Sequence, residues 1–139
     1  MPIRSLKVKD YMSGKLVSFT PETDVLDAIH QLVHQRIAGA PVVDSHGSLV
    51  GMSSEFDCLN VVQKAAYHGE PGGPIANQMT TDDKTVDADM SIIDLAERFM
   101  ESGYRRYPVM KDNRLVGQIS RKDVLRALEK LSMGHSHGH

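Results

Sequence analysis

The sequence predicts a mixed α/β (α+β) fold made of two copies of one β-α-β-β-α unit, each about 60 residues long, packed on each other. Three observations carry this. The first is internal duplication: the pattern of residues 12–59 returns 67 residues later, so that Met12, Asp27, Pro41 and Val42 are matched by Met79, Asp94, Pro108 and Val109. The second is where the register slips. From Leu49 onward the offset is 66, and Leu49-Val50-Gly51, Ser54, Asp57 and Leu59 fall on Leu115-Val116-Gly117, Ser120, Asp123 and Leu125. The lost residue lies in a turn, and turns tolerate length changes that packed elements do not. The third is periodicity inside each copy, a helical stripe followed by two short β-rich runs with turn residues between them. One such unit buries too little apolar surface to be comfortable by itself, so the copies are expected to pack together.

Each copy opens with a short segment ending in Met and a small hydroxyl residue, Val8-Lys9-Asp10-Tyr11-Met12-Ser13 and Ile75-Ala76-Asn77-Gln78-Met79-Thr80. A brief strand is expected at 16–20 and at 85–87. A helix follows, with Val25, Ile29, Leu32 and Val33 at i, i+4, i+7 and i+8, and Ile92, Ala96, Phe99 and Met100 at the matching positions. Thr23 or Asp24 supplies the first N-cap, and Gly39 and Gly103 stand where C-cap residues belong. Two hairpins come next, 40–43 with 49–53 and 107–110 with 115–119, joined by Asp44-Ser45-His46-Gly47 and Lys111-Asp112-Asn113-Arg114. Pro41 and Pro108 sit near strand starts, where a missing N–H is tolerated. A second helix closes each copy, 55 to about 68 and 121 to about 131. Gly69-Glu70-Pro71-Gly72-Gly73-Pro74 reads as a linker, neither helix nor strand. The expected organisation is a first repeat at 6–68, a linker at 69–74, a second repeat at 75–131 and a disordered Gly/His tail at 132–139.

Bulk properties exclude several functions. The 16 Lys and Arg against 18 Asp and Glu leave a net charge of −2, which gives no basic face for nucleic acid or an anionic membrane. No apolar run approaches the ~18 residues of a membrane span, and the N-terminus lacks the apolar core of a signal peptide. Cys58 is a single cysteine, matched by Val124 in the second copy, and reads as a small buried apolar residue in a reducing compartment. The expected location is the cytoplasm.

The sharpest local signal is Gly-x-x-Ser-x-x-Asp at a strand-to-helix junction, Gly51 to Asp57 and again Gly117 to Asp123. Its structural reading is a capping box, Ser over the helix start and Asp returning the bond. Its functional reading uses the same geometry: a helix N-terminus receives phosphate, and an Asp accepts from vicinal ribose hydroxyls. The two readings are compatible.

Strand, amphipathic helix, small-residue turn, Pro-Val hairpin, Leu-Val-Gly and then Ser-x-x-Asp, present twice over about residues 6–130, resembles a tandem pair of cystathionine-β-synthase (CBS) domains, a Bateman module. The resemblance implies two repeats packed through their strands about a pseudo-two-fold axis, with two clefts between them. It implies adenosine-containing ligands (AMP, ADP, ATP, NAD or S-adenosylmethionine) and association of two modules into a homodimer. Carried over by position, Asp57 and Asp123 hold ribose, and Ser54 and Ser120 hold phosphate or ribose oxygen. Ser18 and Thr20, with Thr85 and Asp87 opposite, approach base or sugar. Ile37, Ala40 and Pro41, and Tyr104, Arg105, Arg106, Tyr107 and Pro108, form the adenine pockets.

The clefts are not expected to be equal. Tyr104-Arg105-Arg106-Tyr107 and Arg121-Lys122 bring positive charge and an aromatic ring to the second copy, where the first has Ile37-Ala38-Gly39-Ala40 and Glu55-Phe56. The Asp123 cleft is therefore expected to bind phosphorylated nucleotide better than the Asp57 cleft. His30 and His34 lie one turn apart, a chelating spacing, but no third ligand accompanies them and no metal site is expected. The His-rich tail could hold Ni²⁺ or Zn²⁺ loosely. No nucleophile–base pair or phosphate loop points to an enzyme, and no covalent cofactor is expected. The leading function is a regulatory module that senses an adenine nucleotide and is read by an effector protein. The alternative is a ligand-free dimerisation or assembly module docking on a partner.

Overall fold

The structure, a computed structural model, describes residues 5–14, 16–69, 72–81 and 84–136. It consists of two compact units that are cut differently from the sequence repeats: one spans residues 17–83, the other joins residues 1–16 to residues 84–139. Each opening segment is thus built into the unit of the other repeat.

In the unit of residues 17–83, Asp24 starts helix α1 (Val25–Gln35) by accepting from the Leu26 N–H. Its other carboxylate oxygen accepts from the Gly73 N–H at 3.1 Å, which ties the end of the expected linker to the helix start. The buried stripe of α1 is Val25, Ala28 and Leu32. Val33, expected in it, is 66% exposed, whereas Ala28 is buried in one core cluster with Phe19, Ala40 and Val42. Arg36, in the left-handed conformation at φ 55°, ends α1, and not Gly39, which is already the first residue of β1. Strand β1 (Gly39–Val43) pairs antiparallel with β2 (Leu49–Ser54). The strand expected at 16–20 reduces to a parallel bridge at Phe19, bonded to Pro41 and Val43. Helix α2 (Glu55–His68) follows β2 directly. Phe19, Val25, Leu32, Val42, Cys58, Val61 and Ile75 share the core. Burial pushes the Cys58 thiol up, as expected of a packing residue.

The other unit repeats the plan: β3 (Val86–Asp87), α3 (Ile92–Ser102), β4 (Arg106–Lys111), β5 (Arg114–Ser120) and α4 (Arg121–Ser136). Strand β3 runs parallel to β4, which pairs antiparallel with β5. Ser91 caps α3, Gly103 at φ 75° ends it, and its buried stripe is Ile92, Leu95 and Phe99. Met100 is 87% exposed, the same departure as at Val33. Helix α4 continues to Ser136, so residues 132–136, expected as disordered tail, are helical. One glycine, Gly134, costs a helix only about 1 kcal/mol, less than is needed to stop it. Residues 137–139 of the expected tail lie outside the described residues.

The opening segments are seated by glycines. A Cβ on Gly117 would stand 2.6 Å from the Met12 sulfur, and one on Gly51 would stand 2.7 Å from that of Met79. Ser13 and Gln118 exchange both backbone hydrogen bonds, as do Thr80 and Met52. Lys9 and Lys111 also flank Asp89, holding its carboxyl down at about 2.

Candidate functional site

Each strand-to-helix junction forms the expected capping box. The Ser54 hydroxyl accepts from the Asp57 N–H at 3.1 Å, while Asp57 Oδ2 accepts from the Ser54 N–H at 3.0 Å and from its hydroxyl at 2.9 Å. At the second junction Asp123 Oδ2 accepts from the Ser120 N–H at 2.8 Å and its hydroxyl at 3.1 Å. In both, Oδ2 is occupied by the cap, and Oδ1 is the oxygen turned to other partners.

Those partners differ, and sequence reasoning missed both. Asp57 Oδ1 accepts from the Thr80 hydroxyl at 3.1 Å. Asp123 Oδ1 pairs with Arg126 at 3.1 Å, and the same guanidinium nitrogen donates to the Tyr11 carbonyl at 3.0 Å. A donor from an opening segment, or one anchored to it, thus touches each carboxylate. Arg126 follows Asp123 by three residues, a spacing that suggests the ion pair once helix is assigned; nothing local pointed to Thr80.

The flanking candidate residues lie on the elements next to each box. Phe19 pairs with β1, which places exposed Ser18 and Thr20 at the edge of the sheet. Thr20 is itself engaged, with its N–H and hydroxyl both bonded to the Thr23 hydroxyl. Ile37 is half-buried, and Ala40 and Pro41 are buried, so β1 offers backbone more than side chain there. The Glu55 N–H donates to the Ala38 carbonyl at 2.8 Å, and the Arg121 N–H to that of Arg105 at 3.1 Å, closing the same turn in both units.

In the second unit Thr85 precedes β3 and Asp87 ends it, with the Thr85 carbonyl accepting from Arg98. Arg105 is exposed, and Arg106 lies directly opposite Ser120 in the β4–β5 register, on the same sheet face. The matching residue opposite Ser54 is Gly39, where a Cβ would already press on the Ser53 carbonyl at 3.2 Å. Tyr104 is half-buried under the Lys84 ammonium, 5.2 Å from the ring centroid. Tyr107 is not a stacking platform: its ring is 1% exposed in the core and its hydroxyl donates to Ser102 at 2.6 Å. β alternation turns it inward. Pro108 is buried as well. Arg121 spends its Nε on the Tyr104 carbonyl at 2.7 Å and lies along the helix-pair face described next, so the cation set beside Ser120 is Arg106 and Arg105.

Each unit also carries an apolar groove between its two helices. One, of about 200 Å³, lies between Ile29 and Val33 of α1 and Leu59 and Val62 of α2. Its counterpart, of about 430 Å³, lies between Phe99 and Met100 of α3 and Leu125 and Leu128 of α4. His30 and His34 stack at 4.0 Å on exposed α1 positions, and no group of three metal-ligating side chains occurs among the described residues. Among those residues no helix is long and apolar enough to cross a membrane.

The CBS-domain family profile matches residues 8–64 and 75–130. CBSX1, a chloroplastic CBS domain-containing protein of Arabidopsis thaliana, is 32% identical over 149 aligned positions that cover 86% of this chain and 63% of its own. The chain spans only 15% of a longer curated relative from Aquifex aeolicus. Among solved structures, Arabidopsis thaliana CBSX2 in complex with AMP superposes with a TM-score of 0.78 at 30% identity, covering 91% of this chain and 98% of that one. The CBS pair of MJ0100, in complex with 5′-methylthioadenosine and S-adenosylmethionine, gives 0.71 at 26% identity over 93% and 98%. With matched profile, repeat and architecture in agreement, the chain belongs to the CBS-domain family, of which it carries two domains in tandem.

Proposed function

We propose that the protein is a regulatory module that binds an adenosine-containing ligand against its Ser-x-x-Asp turns and transmits occupancy to an effector protein. The observation that carries this reading is the duplicated box, in which Oδ2 is fixed by the cap while Oδ1 faces exchangeable partners. A ribose hydroxyl can replace Thr80 or Arg126 there without dismantling the helix start. The relatives support the ligand class, since AMP, methylthioadenosine and S-adenosylmethionine share the adenosine group. Carboxylates and hydroxyls without a nucleophile–base pair are suited to holding a ligand, not to transforming it. The exposed grooves support association into a homodimer, and an unpaired, buried Cys58 supports action in the cytoplasm.

The Asp123 site is the stronger one for phosphorylated ligands, because Arg106 stands beside Ser120 where Gly39 stands beside Ser54. Arg126 is an internal competitor at that site. Its own side chain is 64% exposed although that of Asp123 is only 16%, so solvent still screens the pair and it is worth about 1 kcal/mol. Arg126→Ala should therefore lower melting by no more than a few degrees and tighten AMP binding by about two- to fivefold in calorimetry. Weaker binding would show that Arg126 positions Asp123 or reaches the ligand.

Thermal melting against AMP, ADP, ATP, NAD and S-adenosylmethionine tests the whole reading. A ligand at about 100 times its Kd stabilises by roughly 2.7 kcal/mol, a shift of several degrees. A folded dimer indifferent to all five would instead identify a ligand-free assembly module, the reading the grooves favour.

A further inference from the structure

Helix α1 carries two imidazoles that its core packing does not use. His30 and His34 lie one turn apart on its surface, with ring centroids separated by 4.0 Å and planes tilted by 40°. Both residues are exposed, whereas Ala28 and Leu32 of the same helix are buried. Among the described residues neither ring has a hydrogen-bond or ion-pair partner. Their nitrogens are open to a ligand that takes imidazole.

An i, i+4 spacing sets two histidines on one helix face, the arrangement by which helices chelate divalent metals. Holding both donors on one turn makes the second metal–nitrogen bond intramolecular, so the pair binds far tighter than either ring. The local field also favours a cation. His34 stands in the last turn of α1, at the negative end of the helix dipole, and Asp27 precedes His30 by three residues on the same face. The repeat offers no second imidazole pair, since the matching residues of α3 are Glu97 and Glu101.

We propose that His30 and His34 form a chelate site for a late first-row divalent cation, Cu²⁺ ahead of Ni²⁺ and Zn²⁺. Two protein donors suffice for a chelate, which reverses the expectation of no metal site at these histidines. No third side chain joins them among the described residues, so the remaining coordination positions stay open to water or a soluble ligand. Mg²⁺ and Ca²⁺, which take oxygen donors, do not fit.

Titration calorimetry with Cu²⁺, Ni²⁺ or Mg²⁺ tests the site on the full chain carrying His135→Ala, His137→Ala and His139→Ala, so that the His-rich tail takes no metal. One Cu²⁺ or Ni²⁺ should bind per chain and raise Tm by several degrees, and Mg²⁺ should do neither. His30→Ala and His34→Ala should each weaken binding at least about tenfold. Melting without metal should stay nearly unchanged in both, because the positions are exposed and Ala favours helix. Leu26→His added to His34→Ala rebuilds the spacing one turn earlier, at another exposed position, and should restore binding. Unchanged affinity in either Ala variant, no binding to the tail-substituted chain, or failure of the Leu26→His rescue would each overturn the chelate.

Discussion

Asp123→Asn should weaken AMP binding by roughly 10- to 100-fold in titration calorimetry, whereas Asp57→Asn should cost less than about fivefold. The amide is the informative replacement. It keeps an acceptor for the Ser120 N–H, bonded at 2.8 Å in the wild type, so the start of α4 survives. What it removes is the negative charge that strengthens bonds from ribose hydroxyls, and charged hydrogen bonds contribute about 1.5–3 kcal/mol. The loss at Asp57 is smaller because Gly39, which cannot recruit a phosphate, stands opposite Ser54 where Arg106 stands opposite Ser120. Equal losses would remove the asymmetry. Unchanged binding in both variants would leave the two carboxylates as helix caps.

Gly117→Ala should destabilise the fold by about 1–3 kcal/mol, a fall of several degrees in Tm, and Gly51→Ala by less. Both glycines underlie a methionine, and a methionine can move. The difference is the backbone. A Cβ on Gly117 would stand 2.8 Å from the Ser13 carbonyl, against 3.1 Å from the Thr80 carbonyl for Gly51. The Ser13 carbonyl is fixed by its 3.0 Å bond from the Gln118 N–H, so relief requires the strand pairing to open. Equal falls in Tm would mean that the methionine, not the carbonyl, sets the cost. Met12→Ala combined with Gly117→Ala separates these: full recovery would assign the strain to the side chain.

The two glycines also show how far local reading reached. Leu-Val-Gly and the Met before a hydroxyl residue were visible as repeated motifs, but not as partners, since 105 residues separate Met12 from Gly117. The capping boxes were legible because all their bonds span three residues. The buried side of each helix was not. The apolar arc of α1 includes Val25, Ile29, Leu32 and Val33, and what packs on it decides that Ala28 is buried while Val33 is exposed. In the same way Tyr107, which the resemblance assigned to the adenine pocket, is turned into the core by strand alternation.

The sequence by itself determined the duplication, the order of strands and helices, the helix caps at Ser54 and Gly103, and the doubled carboxylate motif. These depend on contacts a few residues apart or on self-similarity, which a linear string displays. The tertiary structure decided the rest: the exchange of the opening segments between units, and the Thr80 and Arg126 partners of the two carboxylates. Those depend on residues far apart in the chain, and their pairing follows from how apolar faces and backbone edges are satisfied in space.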